Sequence, residues 1–225
     1  MRRLFFALAA TAVLACSPAT AQQATPTLQG SGGPAHGAAS QGRVGQLIEQ
    51  MRAGGLVLVI RHERTEIPAR EDDYTRPAND CTAQRNLSVA GLAGSQETGV
   101  ALRALSIPVT TIISSPMCRA TETARFMFGT YSLEPRLIHH NPDVPGDMER
   151  AGEAFADVLR GLPSIDGNTA LISHAGNIAR ATGLRLAEGE IGVVRVGADG
   201  SITAVGQVLG SDLGPHARMA LSPAP

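Results

Sequence analysis

The chain has 225 residues, of which 43% are hydrophobic and 17% charged, and its formal net charge is -1. That is enough chain for one ordinary domain with a continuous core, and it sets up no global field to draw nucleic acid or an anionic membrane. With no Trp and only 3% aromatic residues, the stacking surfaces of single-strand nucleic-acid binders are excluded as well.

Arg2 and Arg3 precede an apolar run over residues 4–16, and Ala19-Thr20-Ala21 follows with small residues. This pattern reads as a secretory signal peptide over residues 1–21. The run is too short for a membrane span. Val13-Leu14-Ala15-Cys16 resembles a lipobox, so cleavage after Ala21 and a lipid anchor at Cys16 both stay open. Either route places the chain outside the cytoplasm, in the periplasm. Only Cys81 and Cys118 then remain in the folded part, 37 residues apart. An oxidising compartment invites a disulfide between them, which would stabilise the fold by roughly 3 to 4 kcal/mol in the loop-entropy picture. Two separate buried thiols are the other reading.

Residues 22–42 are rich in Gln, Ala, Gly, Ser, Thr and Pro without an apolar period and read as a flexible tether. The domain is expected over residues 43–215, with 216–225 as a tail. Val44, Leu47, Ile48 and Met51 share one helix face, which Gly54-Gly55 ends. Residues 56–60 form an unbroken apolar run too short for a helix, as in a strand buried on both faces of a parallel sheet. Residues 109–113 and 169–172, apolar apart from threonines, follow the same strand grammar. Helices are predicted over 88–105, 116–128, 149–162 and 177–186. The alternation defines an α/β fold. Near the end, residues 191–196 and 201–208 flank Gly197-Ala198-Asp199-Gly200, a hairpin signal.

Each of the three apolar runs ends in polar residues: Arg61-His62, Ser114-Ser115-Pro116 and Ser173-His174. In open parallel sheets ligands gather beyond the carboxyl ends of strands. A phosphoryl group needs a nucleophile and fixed donors around its oxygens, and Arg61, His62, Arg119 and His174 offer both. The guanidinium fork suits phosphate oxygens and stays charged, and nearby positive charge favours the neutral, nucleophilic imidazole. Ser115 and Pro116 are suited to the N-cap and first position of the helix that carries Arg119.

Four blocks occur in order: Arg61-His62-Glu63-Arg64-Thr65, then Gln84-Arg85-Asn86-Leu87-Ser88-Val89-Ala90-Gly91, then Ser115-Pro116-Met117-Cys118-Arg119-Ala120-Thr121-Glu122-Thr123-Ala124, then Ser173-His174-Ala175-Gly176-Asn177. Together they closely resemble the histidine phosphatase superfamily, and within it the small exported bacterial members. The resemblance implies a phosphoglycerate-mutase-like three-layer α/β/α sandwich with a mostly parallel central sheet. It implies a phosphomonoester hydrolase acting on a small phosphorylated substrate, with no metal and no cofactor. His62 becomes the phosphorylated nucleophile, Arg61 and Arg119 the phosphate clamp, and His174 a stabilising partner. Thr65 and Asn177 become lesser substrate contacts, and Leu87, Ser88 and Gly91 structural. The orientation of Gln84, Arg85 and Asn86 stays open.

The chain departs from the family pattern twice. Glu63 stands where the family has Gly, either as a surface acid or as a proton carrier facing the site. The general acid lacks a clear motif, and Asp143, Asp147 and Glu149 are candidates, with Asp143 favoured. Two other classes remain. One is a non-catalytic phosphate-binding module on the same fold. The other is a metallohydrolase built on His139 and His140, disfavoured because adjacent side chains diverge. A mutase is disfavoured because its substrates are cytoplasmic. The phosphatase reading requires His62 to be reachable from solvent.

Overall fold

A run such as Val57-Leu58-Val59-Ile60 puts apolar groups on both faces of a strand, so both faces must be covered. In the computed structural model, which describes residues 34–67, 71–163 and 166–222, that run is strand β1 (Val57–Arg61), and its first four residues are buried. The other strands are β2 (Val109–Ser114), β3 (Ser132–Leu133), β4 (Asn168–Ser173), β5 (Glu190–Val196) and β6 (Ile202–Leu209). Their order in the sheet is β3-β2-β4-β1-β5-β6. Strands β1 to β4 run parallel, while β5 is antiparallel to both β1 and β6.

Helices α1 (Pro34–Ala53), α2 (Val89–Ala104), α3 (Cys118–Phe128) and α6 (Gly210–Leu221) cover one face. Leu58, Ile60, Ala170 and Ile172 meet Met51, Leu102, Met127 and Leu213 there. Helices α4 (Asp147–Arg160) and α5 (Ala175–Thr182) cover the other, where Val57, Val59 and Leu171 meet Phe155, Leu159 and Ile178. The two-residue period of the strand thus divides its side chains between two cores. Each fully buried aliphatic or aromatic side chain contributes about 1.5 to 3 kcal/mol. The expected three-layer α/β/α sandwich is the observed one.

Helix α2 opens on Ser88, whose hydroxyl accepts from the Gly91 N–H at 3.0 Å. A side chain at Gly91 would overlap the Arg64 carbonyl, and one at Gly99 would overlap the Met127 carbonyl. Both glycines let α2 lie close, the first against the segment leaving β1 and the second against α3. Cys81 and Cys118 are joined by a disulfide, with Cα atoms 5.6 Å apart.

Several boundaries differ from the sequence expectation. Residues 34–42, expected in the tether, open α1, because Pro34 suits a first turn and packing of the later apolar face draws the helix back. Helix α3 starts at Cys118 with Met117 as its cap residue, so Ser115 and Pro116 lie ahead of it. Helix α5 stops at Thr182 because Gly183 takes φ 76° and its N–H closes onto the Ala179 carbonyl. Residues 216–221 of the expected tail belong to α6, which packs against α2. Gly210, Gly214 and Pro215 give that segment poor helix propensity, which tertiary packing overrides. The signal peptide over 1–21, the lipid anchor at Cys16 and residues 22–33 of the tether lie outside the described residues. Among the described residues, no helix is long and apolar enough to cross a membrane.

Candidate active site

Strands β1, β4 and β2 are neighbours and parallel, so the polar residues at their carboxyl ends arrive together. The His62 N–H donates to the Ser173 carbonyl at 3.0 Å, and the Ser115 N–H to the Ile172 carbonyl at 2.9 Å. The ladder therefore continues just past the strands and fixes where His62, Ser115 and His174 begin. The rings of His62 and His174 stand 5.4 Å apart between centroids, and His139 meets His174 edge-on at 5.2 Å.

His62 Nδ1 lies 2.9 Å from the Glu63 carbonyl oxygen. A carbonyl only accepts, so Nδ1 carries the hydrogen and Nε2 of the neutral ring keeps its lone pair. Burial, and then the charge of Arg119, push the His62 pKa well below its ordinary value, with Arg61 and Arg85 adding to the effect and the Glu63 carbonyl opposing it. The ring is neutral at pH 7. Burial also leads the downward shift of His174, followed by Arg119 and His62. His174 Nε2 lies 3.0 Å from Ser115 Oγ, while its buried Nδ1 has no partner among the described residues. Ser115, expected as a helix cap, is thus a partner of the second histidine.

Arg61 donates to the Leu186 carbonyl at 3.0 Å and to Glu188 at 3.4 Å. Arg119 is 0% exposed and donates through both terminal nitrogens to the two carboxylate oxygens of Asp72, each at 2.9 Å. Its Nη1 also reaches the Arg85 carbonyl at 3.3 Å. A third guanidinium, Arg85, adds its charge to the same cluster, lowering His62, His139 and Arg119. Among the described residues, Arg61 Nε, Arg85 Nε and Arg119 Nε are buried without a partner. The block whose orientation the sequence left open divides its work. Gln84 Oε1 accepts from the Cys118 N–H at 3.0 Å, Arg85 joins the cluster, and the Asn86 amide donates to the Cys81 carbonyl at 2.8 Å.

The expected lesser contacts have other partners. The Thr65 hydroxyl donates to Glu188 at 3.1 Å, which also serves Arg61. The Asn177 amide donates to the Ile138 carbonyl at 2.8 Å and so positions the segment bearing His139.

The side-chain carboxyl of none of the four candidate acids is bonded to His62 or His174; Glu63 meets His62 only through its backbone carbonyl. Asp143 is exposed in a turn whose amide meets Asn141 Oδ1 at 2.9 Å. Asp147 holds His140 at 3.1 Å and Arg150 at 2.7 Å, and Glu149 reaches Arg180 at 3.3 Å. Glu63 is 5% exposed, not a surface acid. It accepts from the Arg64 N–H at 3.1 Å and packs against Gly94 and Gly189. Burial raises its pKa against the pull of Arg64. The carboxylate paired with Arg119 is Asp72, which the sequence did not mark because it lies in an irregular segment between motifs. Tyr74 follows it, with its hydroxyl 3.3 Å from His139 Nδ1.

His139 and His140 part company, the first toward His174 and the second toward Asp147. Among the described residues, no three His, Cys, Asp or Glu side chains are grouped to hold a metal ion. His62 is 2% exposed, so the expectation of a histidine reachable from solvent is not met: the ring sits where two strand ends and the Arg119 side chain close around it.

No family model and no curated protein matches the sequence. Solved structures do. The phosphoserine phosphatase of Entamoeba histolytica, in complex with 3-phosphoglyceric acid, is 15% identical with a TM-score of 0.54, over 70% of this chain and 98% of that one. The alpha-ribazole phosphatase of Shigella flexneri is 16% identical with a TM-score of 0.53, over 70% of this chain and 96% of that one. At such identity the likeness speaks to architecture, and it agrees with the sheet order and layers described above: this chain has the phosphoglycerate-mutase-like fold of those phosphatases.

Proposed function

We propose that this chain is a phosphomonoester hydrolase that works through a phosphohistidine on His62, without a metal, on a small phosphorylated substrate met outside the cytoplasm. The observation that carries the reading is a neutral imidazole with a free Nε2 set among buried guanidinium and imidazole nitrogens that have no partner among the described residues: Arg61 Nε, Arg85 Nε, Arg119 Nε and His174 Nδ1. Buried polar atoms of this kind are costly unless a ligand satisfies them, and a tetrahedral oxyanion has the acceptors for the three guanidinium donors.

His62 Nε2 attacks phosphorus in line, the P–O bond to the leaving group breaks, and the departing oxygen takes a proton from solvent. Water then attacks the phosphohistidine, the P–N bond breaks, the proton of the attacking water returns to solvent, and inorganic phosphate and the neutral ring are restored. The guanidinium groups offset the charge on the equatorial oxygens. Export rests on the N-terminal pattern of Arg2, Arg3 and the apolar run, with support from the Cys81–Cys118 disulfide, since such bonds persist in oxidising compartments.

Turnover of p-nitrophenyl phosphate by the purified protein tests the reading. We expect orthovanadate to inhibit, EDTA to leave the rate unchanged, and an acid-labile phosphoenzyme to be trapped on rapid denaturation. His62→Ala should abolish both turnover and the trapped phosphoenzyme, and appreciable turnover by that variant would refute the assignment. The lack of a bond from any of the four candidate carboxyls to His62 or His174 favours one other reading, a phosphate-binding module on the same fold. Phosphate binding with neither burst nor turnover would select it.

A further inference from the structure

The fork of Arg119 and the backbone N–H of Arg85 converge on one carboxylate. Both Arg119 nitrogens reach Asp72 at 2.9 Å, and the Arg85 N–H donates to Asp72 Oδ1 at 2.9 Å. A carboxylate and one O–P–O edge of a phosphoryl group offer a guanidinium the same pair of acceptors, which is why arginine binds both in two-pronged fashion.

We propose that Asp72 is an internal substitute for the phosphoryl group. It fills the anion site formed by the Arg119 fork and the Arg85 N–H, and substrate enters by displacing it. The inference rests on the phosphatase reading above, and it adds the Arg85 backbone donor to the phosphoryl site.

Three features carry it. The Asp72 side chain is 11% exposed while its Arg119 partner is 0% exposed, so the carboxylate is the member of the pair that can leave toward water. Asp72 belongs to no helix or strand, so its departure breaks no core element. The segment that follows is tied back at its far end by the Cys81–Cys118 disulfide, beside Arg119, and within it the Asp73 N–H meets the Ala83 carbonyl at 2.9 Å, the bond that opening would break. Movement is thereby confined to a short strap around Asp72 and Tyr74. At rest the single carboxylate of Asp72 offsets one of the two charges of Arg119 and Arg85, whereas a phosphoryl dianion would offset both, which favours the exchange. A substrate too weakly anionic to compete with Asp72 would be refused.

The test is calorimetric titration of inorganic phosphate into the oxidised full chain, wild type against Asp72→Asn. If the open state makes up about 1 to 10% of the resting population, the variant should bind phosphate roughly 10- to 100-fold more tightly, because apparent affinity scales with the competent fraction. Equal or weaker binding by the variant, from a wild type that turns over p-nitrophenyl phosphate, would make Asp72 a structural partner of Arg119 and overturn the inference alone. If the wild type neither binds phosphate nor turns over, the phosphatase reading falls and takes the inference with it. A second measurement needs no variant. Saturating phosphate should speed amide hydrogen exchange over residues 71–76 of the wild type, and unchanged or slower exchange there would also overturn the proposal.

Discussion

At the scale of single residues, the environment of His62 does two things that its neighbours in sequence do not announce. The Glu63 carbonyl fixes the tautomer, and burial with Arg119 holds the ring neutral. The acid limb of kcat/KM, corrected for ionisation of the substrate, should therefore lie below the ordinary histidine value of 6.5. A pH–rate profile that already falls at or above that value would contradict the assignment of His62 as a neutral nucleophile. Arg119→Lys should lose most of the affinity for phosphate even though the charge is kept. A lysine offers one compact ammonium where the arginine gives two parallel hydrogen bonds, and binding of phosphate to that variant measures the difference.

At the scale of elements, the helix that carries Arg119 is anchored from outside rather than by its own cap. Met117 makes no side-chain cap bond, and the Cys118 N–H is instead satisfied by Gln84 while the Cys118 sulfur is bonded to Cys81. Replacing both cysteines by serine should destabilise the protein by about 2 to 4 kcal/mol, read as a lower midpoint in urea unfolding, with the wild type under reductant behaving alike. The α2–α3 contact offers an independent check. Gly99→Ala places a methyl group against the Met127 carbonyl and should cost about 1 to 3 kcal/mol through overpacking. A neutral result would mean that α2 can shift away from α3.

At the scale of the whole molecule, acid stability follows from histidines buried in the neutral state. His62, His139 and His174 all have native values below 6.5, while the unfolded chain takes up protons near that ordinary value. Below pH 6.5 the unfolded state thus binds more protons than the native one, so stability rises with pH in this range. The contribution is fully present above 6.5 and is lost as pH falls through the native values. Urea midpoints measured between pH 7 and pH 4 should fall, and the His174→Asn variant should fall less steeply.

How much of this was legible beforehand follows from which forces are local. Apolar runs such as residues 56–60 and 169–172 fixed the strands and the α/β class, because burial on both faces leaves an unbroken signature in sequence. The four ordered blocks picked out His62, His174, Arg61 and Arg119, since strand ends are where chemistry-bearing side chains can converge. Helix α6 was hidden by Gly210, Gly214 and Pro215, whose local preference is outweighed only by packing on α2. Glu188 and Asp72 belong to the site through contacts 127 and 47 residues away in the chain, a separation that no local pattern encodes. The sequence by itself determined the alternation of the main strands and helices, the pair of cysteines and the polar side chains that meet at the strand ends. The tertiary structure alone decided which carboxylate faces the clamp, which nitrogen of His62 is free and how deeply the ring lies. Those properties depend on which distant groups are brought to within hydrogen-bond reach, and on how much water is excluded when they meet.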